Sequence, residues 1–561
     1  MTERSFAEIT QELTAPGAPL EIETRVIRGV PTLCWKNLPT TVPQLLQFCE
    51  SFAERDYLVY EDERLTYAEA FERVRNLTAY LQTVCGVRKG DRVALAMRNF
   101  PEWPISFWAV LCSGAIVVPL NAWWKNSELA YGLTDSGSRV LLCDEERAQL
   151  VAAQLRETPV QRVLVARAAG SLPAGMLAME SVLSEARTPQ PVSIDPEDDA
   201  TIFYTSGTTG QPKGALGTHR NLTANIGSTL FARARSLARG TRATLPPAVQ
   251  SAALLSVPLF HVTGCHSSLV AGSYNGNKIV MIRKWNPERA LELIERERIT
   301  QFGGVPSMVW QALESPEFTH RDTSSVLSIN YGGAPAAPEL LKRIKQSFPE
   351  CTASNGYGLT ETSALACSNA GLDYERKPDS IGVPVATCEV QVVSTDGAPL
   401  PPNSVGELWI KGPNVVKGYW GKPEATAAAF SDGYLHTGDI ARIDEEGFVY
   451  ILDRAKDMLI RGGENVYCVE VEDVLYSHPA VMDAAVVGVP HRVLGEEVGA
   501  IVQVTPNAHV SADELRAYAA QRLAHFKVPT HVELRTEPLP RNANGKIMKR
   551  ELKREMGWTS L

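Results

Sequence analysis

The sequence predicts an α/β fold, with a large, multi-layered N-terminal domain of helix-covered sheets joined by a hinge to a small α+β C-terminal domain. Helical and strand signals alternate from about Leu58 onward, the mark of α/β layering. A chain of 561 residues exceeds what one hydrophobic core can serve. Near its C-terminal end the segment Asp453-Arg454-Ala455-Lys456-Asp457, polar but for one alanine, separates two strand-like runs. The remaining hundred or so residues are enough for a domain of their own.

In chain order, Met1 to Thr14 offers no continuous apolar core for a secretory signal. Thr66-x-x-Glu69 is a capping box opening a helix that carries Phe71, Val74, Leu77, Leu81 and Val84 on one face. The turn Lys89-Gly90-Asp91 leads into a strand over Arg92 to Ala96, and this helix-turn-strand order implies a parallel sheet. Trp103 to Trp124 carries no charge and is long enough to cross a bilayer. Ser113-Gly114 and Pro119 divide it into a buried helix, Trp103 to Cys112, and a buried parallel strand, Ala115 to Leu120, so no stable membrane insertion is expected. Strand signals follow at Ser328 to Pro335, Gly447 to Leu452 and Met458 to Ile460. Beyond them lie a helix at Glu470 to Ser477, strands at Ala484 to Val489 and Ala500 to Val504, and a helix opened by Ser511-x-x-Glu514. The expected division is 1–453, a hinge at 454–457, and 458–561.

Hydrophobic residues make up 44% and charged residues 21% of the chain, which excludes a disordered or fibrous class. A net charge of -9 argues against a nucleic-acid partner. The ten cysteines stand singly, without Cys-x-x-Cys spacing, as expected of reduced thiols in a cytoplasmic protein.

The most informative segment is Tyr204-Thr205-Ser206-Gly207-Thr208-Thr209-Gly210-Gln211-Pro212-Lys213-Gly214. Its hydroxyls, glycines and single lysine supply what a polyphosphate needs: converging backbone N–H groups, hydroxyl donors and a cation. The spacing is not that of a Walker A loop, because Pro212 stands where its lysine would be. Composition alone favours a flexible surface loop, since such loops are common.

Together with the motifs that follow it in order, this segment resembles the signature loop of the adenylate-forming superfamily, which includes acyl-CoA synthetases, luciferases and peptide-synthetase adenylation domains. The resemblance runs from roughly Leu65 to Lys546 and implies ATP, Mg²⁺ and coenzyme A as cofactors. It places the triphosphate on Thr205 to Gly210 and Lys213. In Asn355-Gly356-Tyr357-Gly358-Leu359-Thr360-Glu361 it implies that Tyr357 stacks on adenine, Thr360 meets the α-phosphate, and Glu361 holds Mg²⁺ with Thr205. Tyr331-Gly332-Gly333-Ala334-Pro335 is similar to the segment bordering both pockets, with Gly333 and Ala334 on the nucleotide side. Gly303, Val305, Tyr331, Gly332 and His261 are implied on the acyl side, His261 coming from Pro258-Leu259-Phe260-His261-Val262-Thr263-Gly264. Asp439, with Arg454 beside it, matches the ribose motif. Lys546, in Pro540-Arg541-Asn542-Ala543-Asn544-Gly545-Lys546, matches the mobile lysine that aligns carboxylate and α-phosphate.

The resemblance implies two half-reactions separated by rotation about Lys456, withdrawing Lys546 and bringing in the turn Arg461-Gly462-Gly463-Glu464-Asn465, with Gly462 and Gly463 at coenzyme A. One departure is Cys468, which replaces the usual proline and is expected to loosen that turn. The expected partners are small molecules, namely ATP, coenzyme A and a carboxylic acid; a homodimer is left open. Because the acyl-side residues include no cation, a monocarboxylic, largely apolar acid is expected, medium or long fatty chains first and aryl or aryl-alkyl acids second. The competing readings are delivery to a carrier-protein thiol or to oxygen, and a non-catalytic nucleotide sensor. The basic run Lys549 to Lys553 is expected to be a solvated helix.

Overall fold

The structure, a computed structural model, describes residues 4–205, 211–241, 249–334, 338–505, 508–542 and 546–559. Among them, two large sheets form the body of the N-terminal domain. The eight-stranded sheet is parallel through Asp199–Tyr204, Ile116–Pro119, Arg92–Ala96, Val140–Asp144, Arg162–Ala166 and Met176–Ala178. The nine-stranded sheet is parallel through Thr352–Tyr357, Ser328–Gly332, Gln301–Gly304, Ala252–Leu255, Lys278–Met281 and Asp56–Tyr60. Both carry antiparallel strands at an edge, where a hairpin can add without a crossover.

The uncharged run divides as expected into the helix Glu102–Cys112 and the parallel strand Ile116–Pro119. Trp103, Phe107 and Trp108 are each 0% exposed, in one core with Tyr57 and Leu58 of one sheet and Val93 and Leu95 of the other. The helix therefore lies between the sheets, and the Trp108 indole N–H donates to the Tyr57 hydroxyl at 3.0 Å. Among the described residues no helix is long and apolar enough to cross a membrane.

The capping boxes at Thr66/Glu69 and Ser511/Glu514 are both formed. The first opens the helix Tyr67–Thr83, which buries Phe71, Val74, Leu77 and Leu81. Val84 departs from expectation: the helix stops one residue before it, and it is exposed.

A third sheet, built on Glu389–Val393, Gly406–Lys411 and Tyr434–Ile443, ends in Val449–Arg454 and leads to the small C-terminal domain. There the helices Cys468–Tyr476, Ala512–Ala520 and Lys549–Glu555 accompany a sheet containing Leu459–Arg461, Glu464–Val466, Val481–His491, Gly495–Val504 and His531–Arg535. Leu459, Val471, Leu475, Val486 and Leu515 give it a core of its own. Lys549 is not the solvated residue expected of the basic run, since its Nζ lies 2.7 Å from the Glu472 carboxylate.

Candidate active site

The residues that the resemblance assigns to the nucleotide gather where the nine-stranded sheet meets the third sheet. Gly332 and Gly356 lie opposite each other on neighbouring parallel strands, and a Cβ on Gly332 would sit 2.3 Å from the Gly356 carbonyl oxygen. No other residue fits there without moving backbone. One residue on, the Tyr357 hydroxyl donates to the Asp439 carboxylate. Asp439 faces Arg454 across antiparallel strands, and the Arg454 Nε lies 2.5 Å from its Oδ1. Asp439 is 2% exposed; burial lifts its pKa, opposed first by Arg454 and then by the Tyr357 hydroxyl. Tyr357, Asp439 and Arg454, which the resemblance assigns to adenine and ribose, are therefore brought together.

In the segment that the resemblance assigns to phosphate, the Thr205 N–H donates to the Lys213 carbonyl at 2.9 Å. Ser206, Gly207, Thr208, Thr209 and Gly210 lie outside the described residues. The Lys213 Nζ sits 4.3 Å from the Tyr419 ring centroid, and the Tyr419 hydroxyl donates to Glu361 at 2.7 Å. Tyr419 is a bridging residue that the sequence motifs did not reveal. A hydroxyl and a carboxylate with one oxygen bonded elsewhere fit a hard cation such as Mg²⁺. Among the described residues no cluster of three acidic, histidine or cysteine side chains could hold a metal unaided.

Thr360 and Glu361 start a single 3₁₀ turn, followed by Ser363 and Ala364 at φ +48° and +89°. Such backbone angles need support in non-glycine residues. Here the Asn414 amide donates to the Thr362 carbonyl at 3.0 Å, the Leu365 N–H donates to Asn225 at 3.1 Å, and the His266 Nδ1 lies 3.1 Å from the Ser363 carbonyl.

Lys546 is tied to Asn542 by two hydrogen bonds, the Asn542 N–H to the Lys546 carbonyl at 2.9 Å and the Lys546 N–H to the Asn542 side chain at 3.0 Å. Burial, then the neighbouring Arg454, lowers its ammonium to about 8, partly offset by Asp457 and Asp439. The C-terminal lysine thus shares the electrostatic surroundings of the Asp439 carboxylate.

Asp453 and Arg454 end a strand, and the turn that crosses between domains is Ala455 to Asp457. Cys468 does not loosen its turn. Its amide N–H donates to the Asp453 carboxylate at 2.5 Å and its thiol to the Asp457 carbonyl at 3.1 Å. A proline would supply neither donor. Burial raises Asp453 to about 6, with Lys549 and then this N–H pulling it back. We expect Cys468→Pro to lower unfolding free energy by about 1–3 kcal/mol in urea melts, the cost of stranding a buried acceptor. Cys468→Ala, which keeps the N–H, should lose less than about half of that; equal losses would refute the role of the amide.

A cavity of about 350 Å³ runs along one face of the nine-stranded sheet beneath the helix His219–Ala238. Gly303, Tyr331, Gly332, Gly333, Gly356, Tyr357 and Gly358 border it; His261 and Val305 are not among its described lining residues. The Tyr331 hydroxyl donates to Tyr374 at 2.9 Å, and Tyr331 is 4% exposed, so its ring serves the core. His261 precedes the π-helical turn Thr263–Val270, a form frequent at functional sites. Burial lowers its imidazole to about 3, which keeps it neutral, and its Nε2 has no hydrogen-bond partner among the described residues. Gly264 is required there, because a Cβ would meet the Pro258 carbonyl oxygen at 2.4 Å. The cavity lining also includes Arg233, an exposed arginine on a helix that no motif marks. Gly462 and Gly463, at φ +60° and +91°, form the tight turn between Leu459–Arg461 and Glu464–Val466.

The sequence profile described as "AMP-binding enzyme" matches residues 45–420, and that of the "AMP-binding enzyme C-terminal domain" matches residues 470–546. A feruloyl-CoA synthase from Amycolatopsis sp is 37% identical over 496 residues, covering 88% of this chain and 94% of the relative. A long-chain-fatty-acid–CoA ligase of Bacillus subtilis (strain 168) is 34% identical over 533 residues, covering 90% and 92%. The solved structure of o-succinylbenzoate CoA synthetase from Bacillus subtilis, in complex with its acyl-adenylate intermediate, superposes with a TM-score of 0.77 at 32% identity, covering 91% of this chain and 97% of that one. The chain belongs to the AMP-binding enzyme family, as an ATP-dependent ligase that joins an acyl or aryl carboxylic acid to coenzyme A.

Proposed function

We propose that this ligase activates an aryl or aryl-alkyl acid, bound in the cavity beside Gly332, and that its C-terminal domain turns about Lys456 between two half-reactions in the cytoplasm. In the first, an acid carboxylate oxygen attacks the α-phosphorus of ATP and pyrophosphate leaves. Tyr357 stacks on adenine, Asp439 with Arg454 orients the ribose, Thr205, Lys213 and the residues between them hold the phosphates, and Lys546 bridges the carboxylate and α-phosphate. Thr205 and Glu361 would hold Mg²⁺, which when bound neutralises phosphate charge. In the second, the coenzyme A thiolate attacks the acyl carbonyl and AMP leaves, with the Gly462-Gly463 turn beside the incoming chain. His261, neutral, offers a hydrogen bond rather than a charge.

The observation that carries the acid class is the floor of the cavity. Ser328, Asn330 and Ser354 line it, and the Ser354 hydroxyl donates to the Asn330 carbonyl at 2.6 Å. An alkyl chain would strip water from these groups and return no hydrogen bond, at about 1–3 kcal/mol for each group left unsatisfied. The 37% identity to a feruloyl-CoA synthase supports the same order. The second reading, a medium- or long-chain fatty acid, rests on the 34% identity to a long-chain ligase. Pyrophosphate release across a panel of acids tests the choice. Aryl-alkyl acids should exceed C8 to C16 fatty acids by tenfold or more in kcat/KM, and the reverse order would restore the fatty acids.

A further inference from the structure

The strands under the cavity have two unlike faces. Ser328 pairs with Thr352, Asn330 with Ser354 and Gly332 with Gly356 across neighbouring parallel strands. Because side chains alternate along a strand, these six residues share one face. The intervening Ile329, Tyr331 and Ala353 are buried in the core on the other face. On the next strand Gln301 pairs with Ser328 and Gly303 with Asn330, and both Gln301 and Gly303 line the cavity. The cavity floor is therefore a polar ladder that closes with glycines at the nucleotide end.

Its hydrogen-bonding capacity is only partly used. The Asn330 carbonyl accepts from Ser354, and its amide reaches Ser328 at 3.4 Å, a long contact. A carboxamide has two donors and two acceptor sites, and each hydroxyl one donor and two acceptor sites. One amide hydrogen of Asn330, the acceptor sites of Ser354 and the hydroxyl hydrogen of Ser328 therefore remain available to a bound group. Asn330 is solvent-accessible, and its backbone is tied to Gly303, where a Cβ would lie 1.7 Å from the Asn330 carbonyl oxygen. The amide is held in place but open toward the cavity.

We infer that Asn330, supported by Ser354 and Ser328, reads a hydroxyl group on the body of the acid, so that this ligase selects hydroxylated acids over their deoxy counterparts. The inference rests on the proposal that the acid lies in this cavity with its carboxylate near Gly332 and Gly333. Asn330 is two to three residues before those glycines, and at about 3.3 Å per residue the hydroxyl sits roughly 7–10 Å from the carboxylate. A phenol across a ring from its acid side chain has that span. The hydroxyl can donate to Ser354 and accept from the Asn330 amide, whereas a hydrogen in its place leaves both unmet. Sites built to bond a substrate hydroxyl discriminate more strongly than apolar pockets do.

The test is a matched comparison by pyrophosphate release with the full-length enzyme: 4-hydroxycinnamate against cinnamate, 4-hydroxybenzoate against benzoate, and 10-hydroxydecanoate against decanoate, together with a diacid bearing a distal carboxylate. Wild type is expected to favour the hydroxylated member of at least one pair by tenfold or more in kcat/KM. Asn330→Leu and, independently, Ser354→Ala should each cut that ratio by fivefold or more, chiefly through KM, while unfolding midpoints show that the variants are folded. Ratios near one in wild type, or unchanged in both variants, would overturn the inference while leaving the ligase reading intact. A preference for the distal carboxylate would also overturn it and shift the recognition to Arg233. Activity on none of the acids would remove the proposed acid class and the inference with it.

Discussion

Lys546→Ala is expected to lower acyl-adenylate formation by about 10³-fold while leaving thioester formation from supplied acyl-adenylate within about threefold of wild type. Removing one preorganised donor from a developing anionic centre typically costs 10²–10³ in rate, and here a full positive charge is lost as well. Lys546 lies among Arg454, Asp457, Lys456 and Asp439, so on the proposed reading its charge acts at the nucleotide and not in bulk solvent. The same surroundings give the step a pH dependence. A lysine lowered to about 8 is charged below that pH and neutral above it, so kcat/KM for adenylation should decline as pH rises through about 8. In Lys546→Arg the guanidinium stays charged, and whatever activity remains should lack this limb. Single-turnover assays of each half-reaction decide the matter: equal loss in both would refute the role, and a limb at pH 8 persisting in the arginine variant would assign it to another group.

Asp439→Asn is expected to raise KM for ATP by roughly 10²-fold, with a smaller effect on single-turnover adenylation at saturation. The carboxylate is 2% exposed and takes the Arg454 guanidinium and the Tyr357 hydroxyl at once, so neutralising it strands a cation at the mouth of the site. Breaking a buried pair costs about 3–5 kcal/mol; because the Arg454 side chain keeps 31% exposure, about 2–3 is the better expectation. Ribose analogues isolate the contact. Wild type should discriminate strongly against 2′-deoxy- or 3′-deoxy-ATP, and the variant should treat at least one of them like ATP. Undiminished discrimination in the variant would mean that the hydroxyls are read elsewhere.

What the sequence disclosed was chiefly local. The Thr66/Glu69 box, the strand Arg92–Ala96 and the division of the uncharged run at Ser113-Gly114 depend on residues a few positions apart, and each formed. Val84 was misplaced because a periodic pattern does not say where a helix stops, and Cys468 because the use of an amide N–H cannot be seen in a side-chain alphabet. The cluster of Tyr357, Asp439 and Arg454 was legible only through resemblance to a family, since the three lie far apart in the chain and meet through strand register. Tyr419, Arg233, Asn330 and Ser354 carried no signal, because each acquires its role from a neighbour on another element.

The two-faced strands beneath the cavity also bear on descent. Ile329 and Ala353 answer to folding, whereas Ser328, Asn330, Thr352 and Ser354 answer to whatever occupies the space above them. Paralogues can therefore drift at alternate positions and change diet without remaking the chassis. Within one lineage, divergence in this stretch should run with a period of two residues.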